Sequence, residues 1–293
     1  MFISYSLQLT DSEFKLPAKL PRIWWCPTGP LAFLPIHAAG KYIHGKSMAD
    51  ECLSDFAVSS YIPNVNFLHR MSEPNSVKKS VDAPNGMLII SQSNTPGQKP
   101  IPCAADEGRK VSSQLGKRGI SHITLDNEKG TTDGVLRAME AFSCIHLACH
   151  ASQHITNPLK SSIYLHDGQL DLSEVMKKNF THSDFAFLSA CQTSAGDENL
   201  PEEAVHLASG MLAAGYRSVV GTMWSILDKH GPDLAEFFYE SLLDGVTGEG
   251  HRVDGAGAAR ALHNATSQFR ENLKISDSPD SLLAWVPYIH IGI

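Results

Sequence analysis

Apolar residues in this 293-residue chain gather into short unbroken runs, separated by longer stretches with helical spacing. Gly86-Met87-Leu88-Ile89-Ile90-Ser91, Cys144-Ile145-His146-Leu147-Ala148-Cys149-His150, Phe185-Ala186-Phe187-Leu188-Ser189-Ala190-Cys191 and Ser218-Val219-Val220-Gly221-Thr222-Met223-Trp224 have strand length without polar alternation. That pattern belongs to strands buried on both faces. Helices are expected from about 104–117, with Val111 and Leu115 inward, and from 132–142, with Val135, Leu136 and Met139 on one face. Further helices are expected over about 202–214, 229–243 and 256–269. The first of these turns Val205, Leu207, Ala208, Met211 and Leu212 inward and stops at Gly215. Strands alternating with helices imply right-handed crossovers, hence an α/β fold with a mainly parallel sheet flanked by helices on both faces.

The flanking text is less regular. Residues 1–20 are polar and read as a linker or the tail of an upstream region, leaving 21–293 as one large domain. Arg22 to Cys26, the Pro27-Thr28-Gly29-Pro30 turn and Leu31 to Pro35 read as strand, turn and strand. A second pair ends in Phe56 to Tyr61, and Arg70 to Asn85 reads as a connection. His122 to Leu125 is a strand, and Ser162 to Leu165 with Gly168 to Leu170 a hairpin. Asp171-Leu172-Ser173-Glu174 has the spacing of a capping box that opens a short helix. Leu283 to Ile291 forms a final strand whose Pro287 suits a sheet edge.

Composition narrows the function classes. With a net charge of -7 the chain does not offer an extended phosphate-binding surface, so nucleic acid is not an expected partner. No run approaches the roughly 18 apolar residues of a membrane span, and Met1 to Thr10 lacks the features of a secretion signal. The six cysteines are scattered through a chain that does not need stapling, which predicts a reduced, cytoplasmic protein.

Two of the apolar runs end in residues able to do chemistry, His150 and Cys191. In an open parallel sheet, reacting groups gather at the carboxyl ends of neighbouring strands. A thiol attacks a carbonyl as thiolate, and a neighbouring imidazole takes its proton and returns it to the leaving amine. The backbone N–H groups of Cys191 and of Ala151, the residue after the histidine, are placed to hold the oxyanion. Trp224, at another strand end, is the weaker candidate for a pocket wall, with Ser225 beside it. Cys144 and Cys149 lie inside their runs and read as core. His146 and His150 are four apart, but on a strand and without an intervening glutamate, so no metal site and no cofactor are expected. Asp106, Glu107, Asp197 and Glu198 read as solvated loop or helix-cap charges, and Gly255-Ala256-Gly257 as a loop entering a helix. The loops Gln92 to Pro102 and Gln192 to Pro201 flank the expected cleft and are candidates for an activation switch.

With these residues laid out, the chain resembles a CHAT domain, the caspase-related cysteine peptidase domain often attached to tetratricopeptide repeats and related to separase. Leu31 to Ala39 is similar to its early segment, Ile145 to His150 to its histidine motif, and Leu188 to Thr193 to its cysteine motif. Glu203 to Asp228 resembles its downstream signature, and Trp285 to Gly292 its terminal strand. The resemblance implies a caspase-like fold, a His150/Cys191 dyad and cleavage of a peptide bond in a protein substrate. It also implies an upstream tetratricopeptide-repeat region or regulatory partner. Ala151 stands where the family's glycine is usual, and Ala190 precedes the cysteine as in caspases, not the acidic residue of metacaspases. The alternatives are a silent or latent CHAT module acting in signalling, and an acyltransferase or amidase using the same dyad.

Overall fold

Alternation within each strand sorts its side chains between two cores, and that sorting builds the molecule. The computed structural model describes residues 19–43, 46–67, 86–152, 154, 157–178, 180, 182–189, 191–192, 203–246, 252–272 and 280–293. Its strands are β1 Arg22–Trp25, β2 Gly40–Ile43, β3 Lys46–Cys52, β4 Val58–Tyr61, β5 Met87–Ser91, β6 His122–Asp126 and β7 Cys144–Ala148. They continue as β8 His150–Ser152, β9 Ser162–Leu165, β10 Gly168–Asp171, β11 Phe185–Leu188, β12 Cys191–Gln192, β13 Ser218–Thr222 and β14 Tyr288–Gly292. The helices are α1 Leu53–Phe56, α2 Cys103–Gly116, α3 Thr132–Ala141, α4 Leu172–Lys178, α5 Glu203–Ala213, α6 Gly231–Leu242, α7 Ala258–Asn272 and α8 Asp280–Trp285.

The main sheet has eight strands in the order β1-β4-β14-β13-β11-β7-β5-β6. Every neighbouring pair in it is parallel except β13 with β14. Leu88, Ile90, Ile145, Leu147, Ala186, Leu188 and Val219 point to one face, where Val135, Met139, Val175, Leu207 and Met211 from α3, α4 and α5 cover them. Met87, Ile89, Phe185, Phe187 and Val220 point to the other, against Val111, Leu115, Leu234, Phe238, Leu262 and Phe269 from α2, α6 and α7. Both faces are therefore dry, which is why the strands read as unbroken apolar runs. A smaller four-stranded sheet, β10-β9-β8-β12, lies beyond the carboxyl ends of β7 and β11.

Several expectations are corrected. Leu31 to Pro35 is not a strand: residues Gly29–Phe33 form a 3-10 helix, with Pro30 in its first turn, and Leu31 and Leu34 stay half exposed. Proline's fixed φ and missing N–H are tolerated in a first helical turn. Phe56 belongs to α1, and Leu283, Ala284 and Trp285 to α8, so the last strand is shorter than its apolar run. Pro287 has no N–H for a ladder, and β14 starts just after it. That strand is interior, between β13 and β4, not an edge. The segments 1–18, 68–85 and 193–202, with Asp197 and Glu198, and the side chain of Val205 lie outside the described residues.

Candidate active site

β7 and β11 are parallel neighbours with Leu188 opposite Leu147. The Ser189 N–H donates to the Leu147 carbonyl (2.8 Å) and the Gln92 N–H to the Ala148 carbonyl (2.9 Å), the last rungs of the main sheet here. The runs ending at His150 and Cys191 read as continuous strands in the sequence, and each is broken in the structure. β8 pairs antiparallel with β9 of the hairpin, which draws the chain out of the main sheet into the small one. Both chains advance equally through the break, so Cys191 stands opposite His150, and Gln192 opposite Ala151, across parallel β12 and β8. The two strand ends thus bring the predicted nucleophile and base into register.

His150 is 1% exposed. Its Nε2 lies 2.6 Å from the carbonyl oxygen of Lys99. A carbonyl only accepts, so Nε2 carries the hydrogen and, in the neutral ring, Nδ1 carries the lone pair. Nδ1 is buried and has no hydrogen-bond partner among the described residues. The neutral ring therefore keeps its lone pair on the unpartnered Nδ1. Lys99 lies in the loop between β5 and α2, and the Lys99-Pro100 bond biases Lys99 toward extended backbone. Sequence reasoning placed this loop beside the cleft but missed its main-chain acceptor, because a carbonyl leaves no mark on residue type. The loop's far end is held by Asp228, whose Oδ2 accepts the Cys103 N–H at 3.1 Å.

Ala151 is buried in the extended β8. Among the described residues Asn127 is the non-glycine residue at positive φ, so the alanine following the histidine needs no left-handed backbone. Trp224 and Ser225 follow β13, the neighbour of β11, and so stand at the same edge of the sheet. Trp224 is half-buried against both cores, while Ser225 is exposed.

Cys144 and Cys149 are core residues with no exposed surface, and burial pushes the Cys149 thiol up to about 12, with the Glu107 carboxylate adding to the effect. His146 belongs to the core as well: its Nδ1 is 3.1 Å from Tyr239 Oη, its Nε2 3.1 Å from Glu107 Oε1, and its ring stacks on Phe187. Among the described residues no group of histidine, cysteine or acidic side chains is gathered to hold a metal ion.

Glu107 corrects another expectation. Asp106 is half-buried and pairs with Arg109 at 3.1 Å, but Glu107 is 3% exposed. One turn into α2, its carboxylate points into the core, where Ser189 Oγ donates to Oε2 at 3.0 Å. Ser189 precedes Cys191 by two positions, so this buried carboxylate braces the segment that carries the predicted nucleophile. Gly231 at the start of α6 leaves room for it, since a Cβ there would stand 2.5 Å from Oε2.

A mainly parallel sheet covered by helices on both faces, with a cysteine and a histidine in register past its carboxyl edge, defines a caspase-like cysteine peptidase fold. The chain belongs to the CHAT domain family, whose family model matches residues 7–293. No curated protein matches the sequence. Among solved structures, the Arg-specific cysteine proteinase gingipain R (RGPB) is similar with a TM-score of 0.55 and 11% identity, over 87% of this chain and 58% of that one. The separase–securin complex of Saccharomyces cerevisiae gives a TM-score of 0.50 and 14% identity, over 82% of this chain and 14% of that one. Caspase-1 from Spodoptera frugiperda gives a TM-score of 0.42 and 11% identity, over 72% and 87% of the two chains. At these identities the likeness to the gingipain and the separase is one of fold, and this chain spans little more than half of the gingipain. Among the described residues no helix is long and apolar enough to cross a membrane.

Proposed function

We propose that this chain is a cysteine endopeptidase acting on protein substrates through Cys191 as nucleophile and His150 as acid and base. The observation that carries the reading is the register pairing of Cys191 with His150 at the ends of adjoining parallel strands. In the proposed reaction His150 Nδ1 takes the thiol proton while Sγ attacks the scissile carbonyl carbon, and the oxyanion is held by the Cys191 and Ala151 backbone N–H groups. The C–N bond breaks as Nδ1–H returns the proton to the departing amine. His150 then deprotonates a water that attacks the thioester, releasing the new carboxylate and restoring the thiol. The Lys99 carbonyl supports this cycle by holding the ring in the required tautomer and by steadying the imidazolium between steps. Trp224 and Ser225 are assigned to the wall that meets the substrate chain.

The test is labelling with a library of peptide acyloxymethyl ketones, with mass spectrometry to locate the modified residue. Label is expected at Cys191, lost in Cys191→Ala and reduced by about a hundredfold or more in His150→Ala. Equal label in the His150→Ala variant overturns the dyad. The near-complete burial of His150 favours a second reading, a latent module that opens only when an upstream repeat region or regulatory partner is engaged. Under that reading the isolated domain takes no label until the partner is added.

A further inference from the structure

We infer that Asn127 is a positioning residue for the base: it clamps the loop whose Lys99 carbonyl holds His150. The inference rests on the proposed dyad and adds a residue that is distant from it in sequence and carries no chemistry of its own.

Asn127 follows the edge strand β6, and its φ of +41° lies in the left-handed region that asparagine tolerates better than most residues. Its side chain and its main chain both reach the loop. Asn127 Oδ1 accepts the Ser93 Oγ–H at 3.3 Å and the Asn94 N–H at 3.1 Å. Its carbonyl accepts Gln92 Nε2–H at 3.0 Å and the Gly130 N–H at 2.8 Å. Gln92 is fully buried, and Gly130 is close enough that any Cβ there would collide with the Gln92 side-chain nitrogen. The turn around Asn127 is thus built to the shape of the loop's first residues.

From that clamp the path to the base is short. The Ile101 N–H donates to the Ser93 carbonyl at 3.0 Å, closing the segment 93–101 on itself, and the Gln98 N–H donates to the Thr95 carbonyl at 3.1 Å. Lys99 lies inside this closed loop, and its carbonyl accepts His150 Nε2–H. A main-chain acceptor cannot be placed by its own side chain, so the loop's attachment decides where it stands. With Oδ1 removed, Ser93 and Asn94 lose their acceptor, the loop base shifts, and the imidazole loses the contact that distinguishes its two tautomers. The tautomer with hydrogen on Nδ1 cannot accept the thiol proton there.

Both donors reach the same oxygen, so a carboxylate can replace the amide while a glycine cannot. Asn127→Gly keeps the backbone conformation and deletes the acceptor, and Asn127→Asp restores it. Two readouts apply to the whole chain. The first is the tautomer of His150 by 15N imidazole correlation spectra, its signal identified by absence from His150→Gln. The second is the rate at which a peptide acyloxymethyl ketone modifies Cys191, separated into binding and inactivation constants. In Asn127→Gly the Nε2–H tautomer is expected to give way to a mixture, and the inactivation constant to fall about tenfold with binding unchanged. Asn127→Asp is expected to keep the parent tautomer and to label within about threefold of the parent rate. An Asn127→Gly protein that retains both parent readouts overturns the inference, as does an Asn127→Asp protein that behaves like glycine. If the parent takes no label, the proposed peptidase reading fails, while the tautomer contrast still decides the role of Asn127. Should Asn127→Gly not fold, Ser93→Ala carries the test: smaller shifts in the same direction support the clamp, and unchanged readouts overturn it.

Discussion

Cys191 and His150 stand opposite one another as register partners on parallel β12 and β8. Neighbouring strands lie about 4.8 Å apart, inside the Cα separation that a disulfide spans. His150→Cys is therefore expected to cross-link to Cys191 on mild oxidation, giving a linked peptide pair by mass spectrometry under non-reducing conditions. The link should vanish in the double variant that also carries Cys191→Ala. A soluble, folded His150→Cys protein in which residue 191 stays unlinked would contradict the register. The measurement does not depend on catalysis, so it separates the geometry of the site from its activity.

The cysteines should differ in reactivity. Cys149 adjoins His150 in sequence but is buried, with its thiol pushed up to about 12. At pH 8 only about one part in ten thousand of it is thiolate. Iodoacetamide at pH 8 is expected to leave Cys149 unmodified in the native chain and to reach it only after unfolding in urea. Peptide mapping that found Cys149 alkylated in the native protein would place it outside the core.

Burying Glu107 requires that Gly231 stay without a side chain. A Cβ at 2.5 Å from Oε2 would have to displace either the carboxylate or the first turn of α6. Gly231→Ala is expected to lower the free energy of unfolding by about 1–3 kcal/mol, read from urea titration. Glu107→Ala should cost on the order of 3 kcal/mol, because it leaves Ser189 Oγ buried without its acceptor and removes the carboxylate that stands 3.1 Å from His146 Nε2. A change below about 0.5 kcal/mol in both variants would mean that the cluster does not brace the core.

Acid should weaken the fold near the opposite edge of the sheet. Burial lowers His37 to about 4, even though Nε2–H donates to the Val286 carbonyl at 2.8 Å. Burial, with Arg22 beside it, also holds His290 well below its ordinary value. There Arg22 donates to Nδ1 at 3.3 Å, and Nε2–H donates to Ser218 Oγ at 2.7 Å. For both groups the folded value lies below the unfolded one, so the unfolded chain takes up the proton first. Stability is complete above about pH 6.5 and is lost as pH falls toward about 4. His37 alone should remove about 2 kcal/mol between pH 7 and pH 5. The urea midpoint should fall over that range, and His37→Gln should flatten the dependence. An unchanged midpoint in the parent would sink the assignment.

The two candidate residues, His150 and Cys191, are legible along the chain because each ends an apolar run of the same character. A strand buried on both faces declares itself by composition, and the residue at its polar boundary is the one that leaves the sheet. Period-two alternation likewise predicts that His146 shares a face with Cys144, though not that Glu107 comes to meet it. Glu107 departs from the local pattern, since an acidic residue near the start of a helix is ordinarily solvated there beside the helix N-terminus. Nothing local records that Ser189 and Gly231 converge on it from distant parts of the chain.

By itself the sequence determined the alternation of strands and helices, the two-faced burial of the sheet and the choice of Cys191 and His150 as candidate thiol and imidazole, all of which rest on residue type and spacing. Tertiary structure alone decided that β7 and β11 are neighbours, that both break and re-form in a second sheet without losing register, and that the His150 tautomer is set by a carbonyl. These depend on which strands pair and where main-chain groups fall. A backbone carbonyl is the same atom in every residue, so its role appears only when the chain is folded around it.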